Sequence, residues 1–495
     1  MPEPVRRTIA IIGAGFSGLC LAIKLKQSGR HDFVILEKGA TVGGTWRDNV
    51  YPGAECDVEA ELYSFSFAPN DAWSSTYTKQ PEILAYIRGC VKTYGLEPHI
   101  RFNQTVATVA FDADSNQNIV TLMTGETAAY DVVVSCVGLL HIPVTPEFPG
   151  ASSFVGSAFH SARWDHNVDL RGKRVACIGS AGSAIQFIPE IAPLAAHLVV
   201  FQRSSNWVLP KGVRAFSAPE RWLMARCSLY LLLRRWLWRF VRETLVFLVL
   251  RKSYSSGLRT CLEGLSLWFM RRSIHDAATQ ALMTPTYPLG AKRILISDTY
   301  YAALGRHNVS VVPSTIIGIE PSGIRTADGA LHAADVLIYA TGFALSSFLL
   351  PMDIIGIGGQ SLQKRWAASQ AQAYLGMTHT GHPNFFMMLG PNSSSGHSAL
   401  VVMCEAQASY IVRCLDTLDA KRATTMEVKE SAQTTFNVEM RERLATMIWA
   451  DVPTSPYKDA NGKLTTMWPG TMYEYEARTR RVHEDDYVFA QAPAA

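Results

Sequence analysis

No C-x-x-C pair occurs among the nine cysteines, which stand at 20, 56, 90, 136, 177, 227, 261, 404 and 414. Their irregular spacing offers neither a zinc site nor a disulfide framework, so no metal is expected and a reducing, cytoplasmic setting fits best. The chain also lacks a strong charge excess. A formal charge of +4 and a pI near 8.5 do not suggest a nucleic-acid partner, although a local basic patch can still hold a phosphate. The opening "MPEPVRRTIAIIGAG" runs directly into a strand pattern, without the apolar segment and small-residue cleavage site of a signal peptide. Long charge-free runs are missing as well. In "CSLYLLLRRWLWRFVRETLVFLVLRKS", residues 227–253, they fall well short of the ~20 residues that span a bilayer. That segment can still lie on a membrane as an interfacial helix, with arginines snorkelling from an apolar face, or pack on its own domain. The narrow polar face and the spacing of Arg234, Arg235, Arg239 and Arg242 suit an exposed stripe on a packed helix better.

What is present is an ordinary globular composition, 48% hydrophobic and 18% charged over 495 residues, enough for two or three domains. Two segments share one design. "TIAIIGAGFSGLCLAIKL" is a β-branched run, then Gly13-x-Gly15-x-x-Gly18, then a helical apolar pattern. "KRVACIGSAGSAIQFIPEI" repeats it with Gly179, Ala181 and Ala184 at the glycine positions, around Ser180 and Ser183. In such a turn the first glycine permits a tight reversal, the second lets a pyrophosphate approach the backbone, and the third allows close helix packing. The first copy is followed by "FVILEK", whose Glu37 stands at a strand end where a carboxylate can accept ribose hydroxyls. The second is followed by "HLVVFQRSSNWVLP", where Arg203, Ser204 and Ser205 stand in place of an acid and suit a 2′-phosphate. The acidic site favours FAD and the basic one NADPH. Two such sites in one chain imply electron transfer between two nucleotide cofactors. "DVVVSCVGLLHIP" (131–143) and "ADVLIYATGF" (334–343) each read as a buried strand with a glycine turn, where the chain leaves and re-enters the FAD domain.

"FVGSAFHSARWD", with Phe154, Gly156, His160, Trp164 and Asp165, resembles the fingerprint of Baeyer-Villiger monooxygenases, class B flavoproteins. Three further segments resemble the same family: "GGTWRDNVYPGAECD" (43–57), "PLGAKR" (288–293) and "HPNFFMMLGPNSSSGHS" (382–398). The related N-hydroxylating and flavin-containing monooxygenases usually carry another aromatic residue at Trp164 and lack the Asp. The resemblance covers most of the chain, with departures at Ala181 and at Glu55, where the family often has a basic residue.

The resemblance implies an α/β fold of two dinucleotide-binding, Rossmann-like domains with a helical insertion. The expected division is an FAD domain from 1–145 and 331–495, an NADP domain from 146–212 and 288–330, and the insertion at 213–287. It further implies an NADPH- and O2-dependent enzyme that converts small hydrophobic ketones to esters or lactones through a flavin peroxide. Heteroatom oxygenation is the alternative chemistry. A non-oxygenating flavin reductase or a nucleotide sensor is a more distant one. Arg293 would be the fixed cation that stabilises the anion, oriented by Asp57, and Lys292 would join Arg203 and Ser204 on the 2′-phosphate. Gly44, Thr45, Trp46, Asp57 and Tyr63 would border the flavin beside Gly13, Gly15, Ser17, Gly18 and Glu37. His160 and Trp164 would act in a linker that coordinates domain closure.

Overall fold

The computed structural model describes residues 6–253, 256–453, 455, 457–459 and 461–491. Two five-stranded parallel sheets dominate it, and each is built around one of the two glycine turns. In the first, Ile9–Ile12 lies between Phe33–Leu36 and Val132–Ser135, with Ile100–Arg101 and Phe385–Met387 at the edges. All four residues of Ile9–Ile12 and of Val132–Ser135 are buried, which is why these strands read as unbroken apolar runs rather than alternating ones. Helix Phe16–Gln27 covers one face of this sheet and packs against the long helix Leu400–Lys421.

The second sheet repeats the plan. Arg174–Ile178 lies between His197–Phe201 and Val336–Tyr339, flanked by Val309–Val312 and Ser157–His160. In both units an antiparallel meander precedes the strand that returns beside the first one. It is Val106–Asp112, Gln117–Leu122 and Thr127–Tyr130 in one, and Ile316–Glu320, Gly323–Thr326 and Leu331–Ala333 in the other. Even the acidic strand starts have one job. Asp131 accepts the Thr8 amide at 2.7 Å and Asp335 the Arg174 amide at 2.8 Å, each fastening the returning strand to the glycine-turn strand.

This repeat corrects the boundary expected at 331. Leu331–Ala333 and Val336–Tyr339 pair inside the second sheet, so that unit continues past residue 330. The crossing follows directly. Val144 donates its amide to Gly342 O at 2.9 Å and Ala344 to Ile142 O at 3.0 Å, so the outgoing and returning chains run side by side. The expected linker around His160 is also corrected, because His160 ends the strand Ser157–His160 and pairs with Tyr339.

Between Val208–Leu209 and Leu295–Ile296, which pair with each other, the chain makes the helices Ala218–Arg226, Ser228–Val241, Phe247–Leu250, Ser256–Ser273 and Ala277–Met283, with a π-helical turn at Arg242–Val246. The arginines of Ser228–Val241 do not form the exposed stripe expected of them. Arg234 pairs with Glu61 at 2.5 Å and Arg239 with Glu476 at 2.6 Å, so the charged face meets the first unit and the apolar face points outward.

Candidate active site

A cleft, open at its mouth, lies at the carboxyl ends of Ile9–Ile12 and Val132–Ser135. This is where an open parallel sheet leaves room for a ligand. Gly13, Gly15, Ser17, Glu37, Gly44, Thr45, Trp46 and Tyr63 line it, eight of the residues expected to hold a flavin nucleotide. Gly13 has φ +107°, and a Cβ there would sit 2.8 Å from Cys136 O. Gly15 and Gly44 face each other so closely that a Cβ on Gly44 would lie 3.2 Å from Gly15 Cα. Helix Phe16–Gln27 begins behind them with no acidic residue in its first turn and no side-chain cap, which leaves amide donors for an anion. The uncapped amides and the close glycine backbones fit a dinucleotide. Gly18 lies outside the lining and has a packing role, since a Cβ there would meet Gly13 O at 1.9 Å.

Glu37 is buried at the strand end, and its Oε2 accepts the Ala14 amide at 2.8 Å. Its Oε1 accepts from the Gly39 amide and from Arg47, both at 2.7 Å. Arg47 was not legible as a site residue, because nothing in "TWRDN" sets it apart from a solvated charge. Trp46 donates its indole N–H to Tyr63 Oη at 3.0 Å, and the rings meet edge to face. Together they make a rigid apolar wall on the cleft. Burial raises the Tyr63 phenol well above its usual range, so the wall carries no charge.

In the second unit Gly179 has φ +111°, and a Cβ there would lie 2.3 Å from Ala340 O, so the turn hugs the returning strand as Gly13 does. The side chain of Asn206 donates to Ser180 O at 3.0 Å and holds this turn against the 203–206 segment. Lys292 Nζ lies 2.9 Å from Ser204 Oγ, bringing together residues 88 positions apart. Burial and then the neighbouring Arg203 lower the Lys292 pKa. Among the described residues neither Arg203 nor Lys292 forms an ion pair, so two adjacent cations and a hydroxyl await an anion. That set fits a 2′-phosphate.

Asp57 and Arg293 join the two units. Asp57 belongs to the strand Glu55–Glu59 of the first, whereas Arg293 precedes Leu295–Ile296 of the second. Arg293 Nε and Nη2 donate to Asp57 Oδ2 at 3.0 and 2.5 Å. The Arg293 side chain is 56% exposed and that of Asp57 30%, so the pair lies at a solvent-accessible seam. Asp57 raises the Arg293 pKa, and the Tyr457 hydroxyl lies within reach of the same guanidinium. Burial pushes the Asp57 carboxyl up, but Arg293 first, then Arg242 and Lys211, hold it below the usual range. The carboxylate is therefore ionised and the cation fixed at any pH near neutrality.

The neighbours of this pair had no legible role. Arg242, on the π-helical turn, donates to Glu59 Oε2 at 2.5 Å and to Asp57 O at 2.9 Å. Next to it Glu243 meets His397 Nε2 at 3.1 Å, both buried. A π-helical turn widens the helix by one residue and lets consecutive side chains reach different partners. Replacing Arg242 by Met should leave Glu59 buried without its cation and lower stability by about 3 kcal/mol. Thermal unfolding of the purified variant checks it. An unchanged midpoint would show that Tyr77, which donates to Glu59 Oε1 at 3.1 Å, suffices.

The turn at residues 51–53 reaches across to the second unit. Gln186, on helix Ala184–Ile191, accepts from Tyr51 Oη at 2.9 Å and donates to Glu55 O at 3.0 Å. Gly53 packs on the same helix, since a Cβ would meet Gln186 O at 2.6 Å. A lone glutamine among apolar residues in "AIQFIPEI" is the one local feature that sets this position apart, and it names no partner. Glu55, where a basic residue was the family expectation, pairs with the buried Lys211 at 2.6 Å. Trp164 packs on Phe187 of that helix, and Phe187 touches Tyr51, so Trp164 supports the contact between units from below. His160 Nδ1 accepts the Ala162 amide at 3.0 Å, and the Gly342 backbone lies within reach of the same buried ring. Burial lowers its pKa, so the imidazole is neutral.

The description "Flavin-binding monooxygenase-like" matches residues 6–364, about three-quarters of the length. The chain belongs to that family. A Baeyer-Villiger monooxygenase of Streptomyces coelicolor is 40% identical over 98% of this chain and 93% of its own length. Another, of Pseudomonas aeruginosa, is 36% identical over 98% and 92%. Among solved structures, an oxidised steroid monooxygenase bound to NADP superposes with a TM-score of 0.87 at 30% identity, covering 98% of this chain and all of that one. Cyclohexanone monooxygenase from Rhodococcus sp. Phi1 bound to NADP+ does so at 0.87 and 26%, covering 99% and 100%. The resemblance drawn from "FVGSAFHSARWD" is thus borne out along nearly the full length, and so is the fold of two dinucleotide-binding units.

Proposed function

We propose that the protein is an NADPH-dependent Baeyer-Villiger monooxygenase: a small hydrophobic ketone, O2, NADPH and a proton become an ester or lactone, NADP+ and water. The observation that carries this reading is the Arg293–Asp57 pair, which sets a permanent cation between the two nucleotide-binding units. Bound FAD would supply two-electron transfer and the activation of dioxygen. Gly13, Gly15, Ser17, Glu37, Gly44 and Thr45 would hold it, with Trp46 and Tyr63 excluding water from one side. Gly179, Ser180 and Ser183 would face the NADP pyrophosphate, and Arg203, Ser204 and Lys292 its 2′-phosphate. Arg293 would face the oxygen on which negative charge develops, and Asp57, accepting from Nε and Nη2, would fix its orientation, with Tyr457 within reach of the same guanidinium. The neutral His160, which accepts the Ala162 amide, and the tilted Trp164–Phe187 contact would serve closure between units rather than proton transfer.

The test is product analysis with a cyclic ketone and a thioether, each under NADPH and O2. Lactone with NADPH consumed in equal amount supports the reading, whereas sulfoxide alone overturns it. Coenzyme choice follows from the same geometry. Arg203→Ala should lower kcat/KM for NADPH roughly 30-fold, about 2 kcal/mol, and leave that for NADH almost unchanged. Equal loss with both coenzymes would remove Arg203 from the phosphate site.

A further inference from the structure

Helix Ser228–Val241 wears its polarity inside out. Arg234 and Arg239 form the ion pairs given above, and Arg235 donates to Glu61 O and Ser64 O, both at 2.8 Å. The polar face is thus consumed in docking the helix onto the first unit. The opposite face carries Leu229, Leu232, Leu233, Trp236, Leu237 and Phe240, which are 47% to 62% exposed. Their spacing of three and four residues makes one continuous stripe, and the rings of Trp236 and Phe240 stack 5.6 Å apart upon it. The adjacent helix Ala218–Arg226 adds Trp222, 63% exposed, with Arg221 and Arg226 exposed beside it. An aqueous surface ordinarily carries large apolar side chains singly rather than as a stripe along three turns of helix.

Charge indicates what covers it. Residues 213–287 hold twelve Lys and Arg against four Asp and Glu, and although Arg234, Arg235, Arg239, Arg242 and Lys252 are paired with acids outside the segment, a positive surplus remains. Arg221, Arg226, Arg271 and Arg272 are exposed and form no ion pair among the described residues. Pairing the stripe with that of a second copy would bring two such positive segments together, whereas an anionic surface relieves their repulsion. Exposed Trp, Leu and Phe beside arginine is also the composition that settles at the boundary between headgroups and acyl chains. Among the described residues no helix is long and apolar enough to cross a membrane, so the arrangement is one of lying on the surface.

We propose that the 218–241 face docks the protein on an anionic lipid surface, with Trp222, Trp236 and Leu233 entering the interface and Arg221 and Arg226 meeting phosphate headgroups. This contact goes beyond the oxidation reaction and does not depend on it. The test is flotation of the FAD-loaded protein with vesicles of phosphatidylcholine alone or mixed with phosphatidylglycerol, at low and high salt. Binding to the mixed vesicles, weakened by salt, is expected. Trp236→Glu and Leu233→Glu should each reduce it by about tenfold or more, because a charge replaces an inserted apolar side chain. Arg221→Glu with Arg226→Glu should reduce binding to the mixed vesicles and abolish its salt dependence. FAD absorbance and the unfolding temperature should stay at the parent values in all of them, since none of these side chains has a partner in the core. A protein that floats with neither vesicle overturns the proposal. So does binding that Trp236→Glu leaves intact, or a lipid-free dimer that Trp236→Glu dissolves.

Discussion

Replacing Arg293 by Ala should uncouple the enzyme. NADPH oxidation depends on the two nucleotides being aligned, which rests on the glycine turns and on the Arg203, Ser204 and Lys292 cluster, none of which hydrogen-bonds to or pairs with the Arg293 side chain among the described residues. Ester formation depends on a fixed positive charge where oxygen turns negative, and Asp57 without Arg293 would present the opposite sign there. The expected result is continued NADPH consumption with the oxygen recovered as hydrogen peroxide, and ester formation reduced by roughly 10²- to 10³-fold, about 3 to 4 kcal/mol. Arg293→Lys is the informative companion. It keeps the charge but loses the double contact with Asp57 Oδ2 at 3.0 and 2.5 Å, so partial recovery would separate charge from orientation. Parent-level ester from Arg293→Ala would take Arg293 out of the reaction and return heteroatom oxygenation to first place.

The parts of this site that could be read from the sequence are those in which local chemistry and position coincide. A glycine that must adopt φ near +107° or +111° stands at a strand end, and an acid or an arginine closes the next strand, whatever the rest of the chain does. The Asp57 and Arg293 pair came from motif resemblance alone, since nothing local marks two residues 236 apart as partners. Arg242, legible only as one of four arginines at helical spacing, and Tyr457 have no motif to name their roles. The arginine face of Ser228–Val241 shows a different limit. Periodicity reveals that a helix has two faces, and burial of the apolar one is the usual outcome, yet here Glu61, Glu405 and Glu476 supply carboxylates that draw the arginines inward. Those acids lie in unrelated segments, so only the assembled fold brings them into view. The boundary set too early at 331 has the same origin. One apolar strand reads like another, and only its hydrogen bonds to Arg174–Ile178 assign Val336–Tyr339 to the second unit.

Gly15→Val should give a folded protein without its flavin. The backbone at Gly15 has φ −88° and ψ −167°, a conformation open to any side chain, and a Cβ built there meets nothing nearer than Gly44 Cα at 3.7 Å. The backbone therefore accepts a Cβ at this position. What the branched side chain fills is the space between two glycine backbones at the start of helix Phe16–Gln27, where a pyrophosphate would take its amide hydrogen bonds. Losing about two charge-assisted contacts costs about 3 kcal/mol, or at least roughly 10²-fold in FAD affinity. The purified variant should be colourless, with the circular dichroism of the parent. Gly18→Ala serves as the contrast, because its Cβ would collide with Gly13 O at 1.9 Å and force the helix off the sheet. It should lower stability, where Gly15→Val lowers occupancy. The two effects separate in one experiment, absorbance at the flavin band set against thermal unfolding. A yellow Gly15→Val at full FAD occupancy would move the cofactor away from this turn, and the roles proposed for Glu37, Trp46 and Tyr63 would move with it.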